Sequence, residues 1–275
     1  MMKTIQLNNG IEIPSPGLGT YHLGRNDEEV YRAVRHAIEV GYRHIDSAAF
    51  YDNEEPVGKA IRESNVPREE LFITTKLWGS DIKENHIEKA FENSLHRLNV
   101  GYIDLYLVHW PVKEMIAATW KEMERIYQSG RVKAIGVSNH LIHHLETLLQ
   151  QAEIIPAVNQ VELHPFLVMQ ELQNYCSEKG IVVESWSPLG SSKIPLLTDS
   201  RIEEIATRKG KSTAQVILRW NLQKQIIPLP KSSDWQRQHE NFSLFDFSLT
   251  ADEIVEIDRL DRNHRTGVHP DEIAF

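Results

Sequence analysis

One cysteine in 275 residues, Cys176, leaves no partner for an internal disulfide, so the fold must stand on its core rather than on covalent staples. No run approaches the roughly 18 uninterrupted apolar residues of a membrane-crossing helix. Met1–Gln6 offers no apolar stretch of the signal-peptide kind either. The expectation is a cytoplasmic protein with no membrane partner. Positive charge is also scarce: 30 Lys and Arg against 39 Asp and Glu give a net charge of −9. A phosphate backbone needs a basic face, so no nucleic acid partner is expected, though a local basic pocket is not excluded. Gly/Ser-rich and Pro-rich linkers, low-complexity tracts and close repeats are missing too, which argues for a single domain over residues 1–275. Nothing in the chain points to an oligomer interface, so a monomer is expected. With 41% hydrophobic and 25% charged residues the composition is that of an ordinary globular chain, neither disordered nor collagen-like.

What is present is alternation. Asn9-Gly10 lies between the β-prone Thr4–Leu7 and Ile11–Ile13 and signals a hairpin whose two turn residues take positive φ. Strand-like segments follow at Gly17–Thr20, Arg43–Asp46, Leu71–Thr75, Ile103–Val108, Val132–Val137, Ala157–Val161, Ile181–Ser185 and Ile226–Leu229. Between them lie amphipathic stretches at Asp27–Val40, Glu54–Ser64, Ile82–Leu98, Ala117–Ser129, Leu141–Gln151, Leu167–Lys179, Asp199–Arg208 and Thr213–Leu222. A last helix is expected over Thr250–Leu260, with Thr250 as its N-cap and Glu253 completing a capping box. Strands alternating with helices imply parallel pairing. An open doubly wound sheet and a closed barrel both fit, but eight strands and a length near the usual ~250 residues favour an α/β fold of the (β/α)8 TIM-barrel kind. An N-terminal β-hairpin and extra helices complete it. The open dinucleotide-binding sheet would want G-x-G-x-x-G after its first strand, and after Gly17-Leu18-Gly19 the third glycine's place holds His22.

In a barrel of this kind chemistry sits at the carboxyl ends of the strands. There the second strand delivers Asp46, with Tyr51 in the loop behind it, the third delivers Lys76 and the fourth runs into His109. Each alone reads as a rim or packing residue; together on neighbouring strands they make a proton-donating centre. A phenol with pKa near 10 is a weak acid at neutral pH, and a neighbouring ammonium would lower that value while a carboxylate holds the ammonium in place. His109 could polarise a carbonyl oxygen that gains negative charge. No nucleophile with its own base accompanies them, so the attacking group must come from elsewhere, and a nicotinamide hydride is the natural candidate. Later strands end in Ser138-Asn139, Gln160 and Ser187, which suit a carboxamide, while Trp186 could stack on a ring. Lys231, Ser232 and Arg237 follow the eighth strand as a candidate phosphate clamp, with Glu240 and Asn241 beyond.

These residues resemble the aldo-keto reductase family, along essentially the whole chain. The resemblance is carried by Gly41-Tyr42-Arg43-His44-Ile45-Asp46-Ser47-Ala48-Ala49-Phe50-Tyr51, Leu107-Val108-His109-Trp110-Pro111, Ile135-Gly136-Val137-Ser138-Asn139, Val158-Asn159-Gln160-Val161-Glu162, Trp186-Ser187-Pro188-Leu189-Gly190 and Pro230-Lys231-Ser232. It implies an NADPH-dependent oxidoreductase that reduces aldehydes or ketones, with Tyr51 as general acid and Asp46, Lys76 and His109 completing a tetrad. It further implies nicotinamide contacts from Ser138, Asn139 and Gln160, with Trp186 stacked on the ring, and places Ser187 and Leu189 among the cofactor contacts. Lys231, Ser232 and Arg237 would hold the 2′-phosphate of NADPH/NADP+, with Glu240 and Asn241 near the adenine. By the same resemblance Tyr21, Phe50, Trp78, His109 and Trp110 line the substrate pocket. The tail from Arg265-Thr266-Gly267 to Phe275 resembles the short bacterial type, which implies an open pocket and a broad range of small carbonyl substrates.

Three places depart from the family pattern: a short stretch between Pro111 and Trp120, His140 where Phe commonly stands, and Gln238 in place of an apolar residue. Two other readings fit parts of the pattern. A cofactor-binding sensor with this fold would have no need of an activated acid. A metal-dependent barrel hydrolase built on His44 and Asp46 lacks a third convergent ligand, because the later strands end in amides. His140, His143 and His144 are expected to be solvated rather than metal-binding; no metal is expected.

Overall fold

The structure is a computed structural model that describes residues 3–275. It opens with the hairpin, β1 (Lys3–Gln6) against β2 (Glu12–Ser15). Only Gly10 takes positive φ, 86°, and Asn9 does not, because the loop is longer than a two-residue turn. The Gly10 N–H returns to the Leu7 carbonyl at 2.9 Å and the Leu7 N–H donates to Ile11 O at 2.8 Å, so a single left-handed glycine closes it. Asn9 instead docks the hairpin on the barrel, donating through Nδ2 to the Lys133 carbonyl at 3.0 Å.

Eight parallel strands follow: β3 (Leu18–Gly19), β4 (His44–Asp46), β5 (Phe72–Leu77), β6 (Ile103–Val108), β7 (Val132–Ser138), β8 (Val158–Glu162), β9 (Val182–Trp186) and β10 (Ile227–Leu229). They pair in chain order from β3 to β10. The seam between the first and last strands is closed by Gly17 N–H to Pro228 O and Gly19 N–H to Pro230 O, both 3.1 Å. The barrel is therefore complete, as eight strands and this length suggested.

Most expected helices lie within a residue or two of their expected ends. Asp27–Val40 forms as expected, and Thr250 with Glu253 builds the expected capping box. Three differ. The stretch Ile82–Leu98 divides into Gly79–Lys83 and Ile87–Leu98 where Asn85 turns left-handed, φ 56°. The helix expected from Leu167 begins at Gln170, since Leu167 bridges back to His164 and Met169 turns left-handed. Trp235–Phe242 is a helix that the amphipathic pattern did not announce, capped by Asp234 accepting the Arg237 N–H at 2.9 Å.

Two apolar layers hold the barrel. Outward-facing strand residues such as Ile45, Ile73, Tyr106 and Ile135 pack against the helices. Inward-facing Phe72, Leu105, Leu107, Ala134 and Val158 fill the floor of the barrel, which Leu7 and Ile13 of the hairpin plug from below. Above this floor the inward-facing side chains become polar. Gly136 lets the interior fit: a Cβ there would stand 2.6 Å from the Val158 carbonyl oxygen and 2.8 Å from Leu107 Cδ2. Gly136→Ala should therefore destabilise the protein by about 2–3 kcal/mol through overpacking. A urea midpoint equal to that of the parent would contradict this packing.

Candidate active site

Asp46 ends β4 and Lys76 lies two residues past Thr74, its partner on β5, so both point into the barrel mouth. Lys76 has no solvent exposure. Its Nζ donates to Asp46 Oδ1 at 2.7 Å, to the Ser47 carbonyl at 2.7 Å and to Tyr51 Oη at 3.2 Å, which uses all three ammonium protons. Tyr51 is delivered by a 3-10 turn, Ala49–Tyr51. Asn53 fixes that loop, accepting from Ser47 Oγ at 2.8 Å and donating to Thr20 O at 2.9 Å. His109, next along from β6, sets its ring 5.6 Å from that of Tyr51. The four expected residues meet.

Their electrostatics differ from expectation in one respect. Burial pushes the Tyr51 phenol above its ordinary value, and the nearby Lys76 offsets only part of that effect. Lys76 is disfavoured as an ammonium by burial, but Asp46 and Tyr51 outweigh this and raise its pKa. Burial, with the Lys76 charge second, holds His109 well below the usual imidazole value. The centre therefore carries an ammonium, a neutral phenol and a neutral imidazole. His109 can donate a hydrogen bond in that state, while Tyr51 is the group with a proton to give.

Around this centre the aromatic wall forms as expected in part. Phe50 stacks on Trp78 at 3.9 Å, Trp78 sits 5.1 Å from His109, and Tyr21 lies 4.9 Å from Tyr51. Trp110 is half-buried and makes no ring contact with them among the described residues. Phe275, unnoticed in the sequence, completes the wall edge-on to Trp78 at 5.3 Å; a chain-terminal aromatic carries no periodic signal that could reveal it.

The candidate nicotinamide residues line the opposite rim. Asn139, at φ 60°, donates to the His109 carbonyl at 3.0 Å and accepts from Trp186 Nε1 at 2.8 Å, fixing that indole. Ser138 Oγ donates to the Gln160 carbonyl at 2.8 Å. Gln160 Nε2 donates to Asp46 Oδ2 and to Glu184 Oε2, each at 2.8 Å, so what Gln160 offers a ligand is its amide oxygen. Ser187 bonds Ser191 at 2.5 Å, and Leu189 packs on the core. Glu184 was missed, although a lone acid in the apolar run of β9 was its signal.

Lys231 and Arg237 are exposed, and neither side chain has an ion pair among the described residues; Ser232 lies between them at the start of the Trp235–Phe242 helix. Two unpaired cations, a hydroxyl and a helix N-terminus fit a phosphate. Glu240 and Asn241 lie on the same helix. Gln238 is fully buried: it donates to Ser232 O at 2.8 Å and Ala33 O at 3.0 Å and meets His36 Nδ1 at 2.5 Å. It anchors the clamp from behind.

The three histidines are not all solvated. His140 is buried and bonds the Ser138 carbonyl at 2.9 Å, and His144 is buried as well. His143 and His144 approach Asp271 Oδ1 at 2.9 and 3.1 Å. His144 Nδ1 accepts the Leu141 N–H at 3.1 Å, so the neutral ring carries its proton on Nε2, which faces Asp271 without making a hydrogen bond; the ligand atoms of His143, His144 and Asp271 lie within 4.8 Å of one another. His44 Nε2 meets Thr74 at 3.0 Å, and Asp46 Oδ1 accepts from Lys76.

The tail is clasped by Glu162, which stands in one of the family-like stretches but had no expected role. It accepts the Thr266 N–H at 2.6 Å, the Thr266 hydroxyl at 2.5 Å and the Gly267 N–H at 3.1 Å. Gly267 lies against Trp186, where a Cβ would stand 2.6 Å from the indole. Burial works to raise the Glu162 carboxyl's pKa, but His164, Thr266 and Gly267 outweigh it and hold the value below the ordinary one. The clasp should thus hold at neutral pH and be lost only as pH falls through that lowered value. Glu162→Gln should speed amide exchange at Thr266 and Gly267 by about tenfold or more, the loss of a charged acceptor being worth ~1.5–3 kcal/mol. Unchanged protection would show that the tail is held elsewhere.

A (β/α)8 barrel with Asp46, Tyr51, Lys76 and His109 gathered at its mouth and two unpaired cations after its last strand fits a nicotinamide-dependent oxidoreductase. Residues 17–262 match the Aldo/keto reductase family, and the chain belongs to it. It is 48% identical over 272 residues to glyoxal reductase of Bacillus subtilis (strain 168), covering 99% of this chain and 98% of that one. To methylglyoxal reductase DkgA of Escherichia coli (strain K12) it is 43% identical over 272 residues, 98% of each chain. Among solved structures, a Gox0644 mutant in complex with NADPH superposes with a TM-score of 0.93 at 36% identity over 100% of both chains.

Proposed function

We propose that this enzyme uses NADPH to reduce a broad range of small aldehydes and ketones, with glyoxal-type dicarbonyls among them, and that Tyr51 gives the proton. The observation that carries the reading is the Tyr51 phenol, 3.2 Å from an ammonium that is itself held 2.7 Å from Asp46. When bound, NADPH supplies the hydride that goes to the carbonyl carbon. His109 donates a hydrogen bond to the carbonyl oxygen, and Tyr51 transfers its proton to that oxygen as the alcohol forms. Lys76 stabilises the resulting phenolate until water restores the proton. Ser138, Asn139, Gln160 and Trp186 hold the nicotinamide in this reading, with Ser187 and Leu189 beside them. Lys231, Ser232 and Arg237 take the 2′-phosphate, and Glu240 and Asn241 face the adenine. Tyr21, Phe50, Trp78 and Trp110 line the substrate pocket. The relatives' names, glyoxal and methylglyoxal reductase, support small dicarbonyls as substrates. All these groups come from one chain, so a monomer suffices, and the single free thiol suits a reducing cytoplasm.

The test is NADPH consumption over a panel of dicarbonyls, aromatic aldehydes and keto-sugars. Tyr51→Phe should lower kcat by about 10²-fold or more, the usual contribution of a positioned acid, with the Kd for NADPH nearly unchanged. NADPH binding without turnover on any carbonyl would instead support a sensor. Arg237→Ala should weaken NADPH by about tenfold while sparing NADH, which has no 2′-phosphate to engage a charged bidentate donor. Equal losses for both cofactors would refute the clamp.

A further inference from the structure

We propose that Glu184 is a positioning residue of the reductase centre, whose carboxyl keeps the Gln160 amide turned with its nitrogen toward Asp46 and its oxygen toward the nicotinamide. The proposal rests on the NADPH reading above and concerns a residue that touches neither substrate nor cofactor in it.

Gln160 and Glu184 face each other in the register of β8 and β9, and both are buried inside the barrel. Gln160 reaches across to β4 as a beam, its Nε2 divided between Asp46 Oδ2 and Glu184 Oε2 at 2.8 Å each. An amide nitrogen has two protons, and both are committed. Turned over, the amide would set its oxygen against two carboxyl groups, an acceptor against acceptors, and its NH2 toward the mouth. Asp46 opposes that flip through Oδ2, which has Gln160 as its hydrogen-bond partner while Oδ1 accepts from Lys76 at 2.7 Å. Glu184 supplies the second opposition. The hydrogen-bonded chain Glu184–Gln160–Asp46–Lys76–Tyr51 then runs from the barrel interior to the candidate acid.

The groups around Glu184 indicate the form in which it works. Its Oε1 has no hydrogen-bond partner, and the nearest cationic candidate, His44 Nε2, stands 3.8 Å away. Burial holds His44 neutral, its pKa falling to about 3. Burial lifts the Glu184 carboxyl to about 8, the Asp46 charge adding to it while Gln160 and Lys76 pull the other way. At neutral pH Glu184 is therefore an uncharged acid whose proton sits on the unpartnered Oε1, leaving Oε2 as the carbonyl that accepts from Gln160, and the barrel centre holds one ammonium and one carboxylate rather than an excess of negative charge beside Tyr51.

The experiment compares Glu184→Val and Glu184→Gln with the parent, measuring binding of NADPH and of 2′-phospho-ADP-ribose, which lacks the nicotinamide, by fluorescence. Glu184→Val removes the acceptor and should weaken NADPH by about tenfold, the scale of one lost buried hydrogen-bond partner. Its affinity for 2′-phospho-ADP-ribose should stay within twofold of the parent's, a bound set by the same scale. Glu184→Gln keeps an acceptor oxygen and should bind both ligands like the parent. It should also be more stable than the parent by a margin that grows from pH 5 to pH 8. In that range an unfolded Glu184 has lost its proton while the folded one keeps it. Equal loss of both ligands in Glu184→Val, loss of neither, or a stability margin flat with pH would overturn the proposal. Failure of the parent protein to bind NADPH would overturn the reading beneath it as well.

Discussion

The structure turns on a lysine ammonium placed where no water can reach it. Removing such an ion from water costs several kcal/mol, and a barrel can retain it only by offering acceptors in fixed positions. Lys76 finds three, a carboxylate from β4, a carbonyl from the residue after it and a phenol farther along the same loop. Each depends on the closed sheet, since Asp46 pairs with Thr74 in the β4–β5 register and the Ser47 N–H is tied to the Thr74 carbonyl at 2.8 Å. The seam between β3 and β10 has the same consequence at one remove. Without it the strands that carry Asp46 and Gln160 would not face each other across a common interior.

The rim is organised by side chains whose hydrogen bonds are largely spent on one another. Asn139 links the His109 carbonyl to Trp186, and Gln238 ties the Ser232 backbone to the Asp27–Val40 helix. Glu162 holds the tail, whose Gly267 lies on Trp186 and whose Phe275 packs on Trp78. A short C-terminal segment thus touches both the candidate nicotinamide platform and the substrate wall. Polar groups committed in this way need no reorganisation when a ligand arrives, which is the physical advantage of a preorganised site.

Much of this was legible in the residues because period and punctuation carry it. Eight apolar runs separated by amphipathic stretches give the barrel, and Asp46, Tyr51, Lys76 and His109 fall at strand ends where the topology must gather them. The failures were of another kind. Asn85 and Met169 break helices by taking left-handed conformations, which apolar periodicity does not record. The Trp235–Phe242 helix buries few apolar residues, so its pattern is faint, and what holds it is Asp234 at its cap and Gln238 beneath it. Phe275, Glu162 and Glu184 acquire their meaning from partners more than 20 residues away, which no local pattern can supply.

Burial treats the two candidate acids, His109 and Tyr51, differently, which supports the proposed role of Tyr51. Removing water disfavours whichever form is charged, so it lowers the pKa of an imidazole and raises that of a phenol. Both effects leave the neutral species, with opposite chemical results. Neutral His109 has no readily lost proton and can only orient and polarise an oxygen. Neutral Tyr51 retains its proton, and Lys76 at 3.2 Å is placed to stabilise the anion left behind. An exposed tyrosine would have the proton but no such cation, and an exposed histidine would compete to donate at mildly acidic pH. The same desolvation that makes the ammonium expensive therefore separates the two roles, and the lysine joins them.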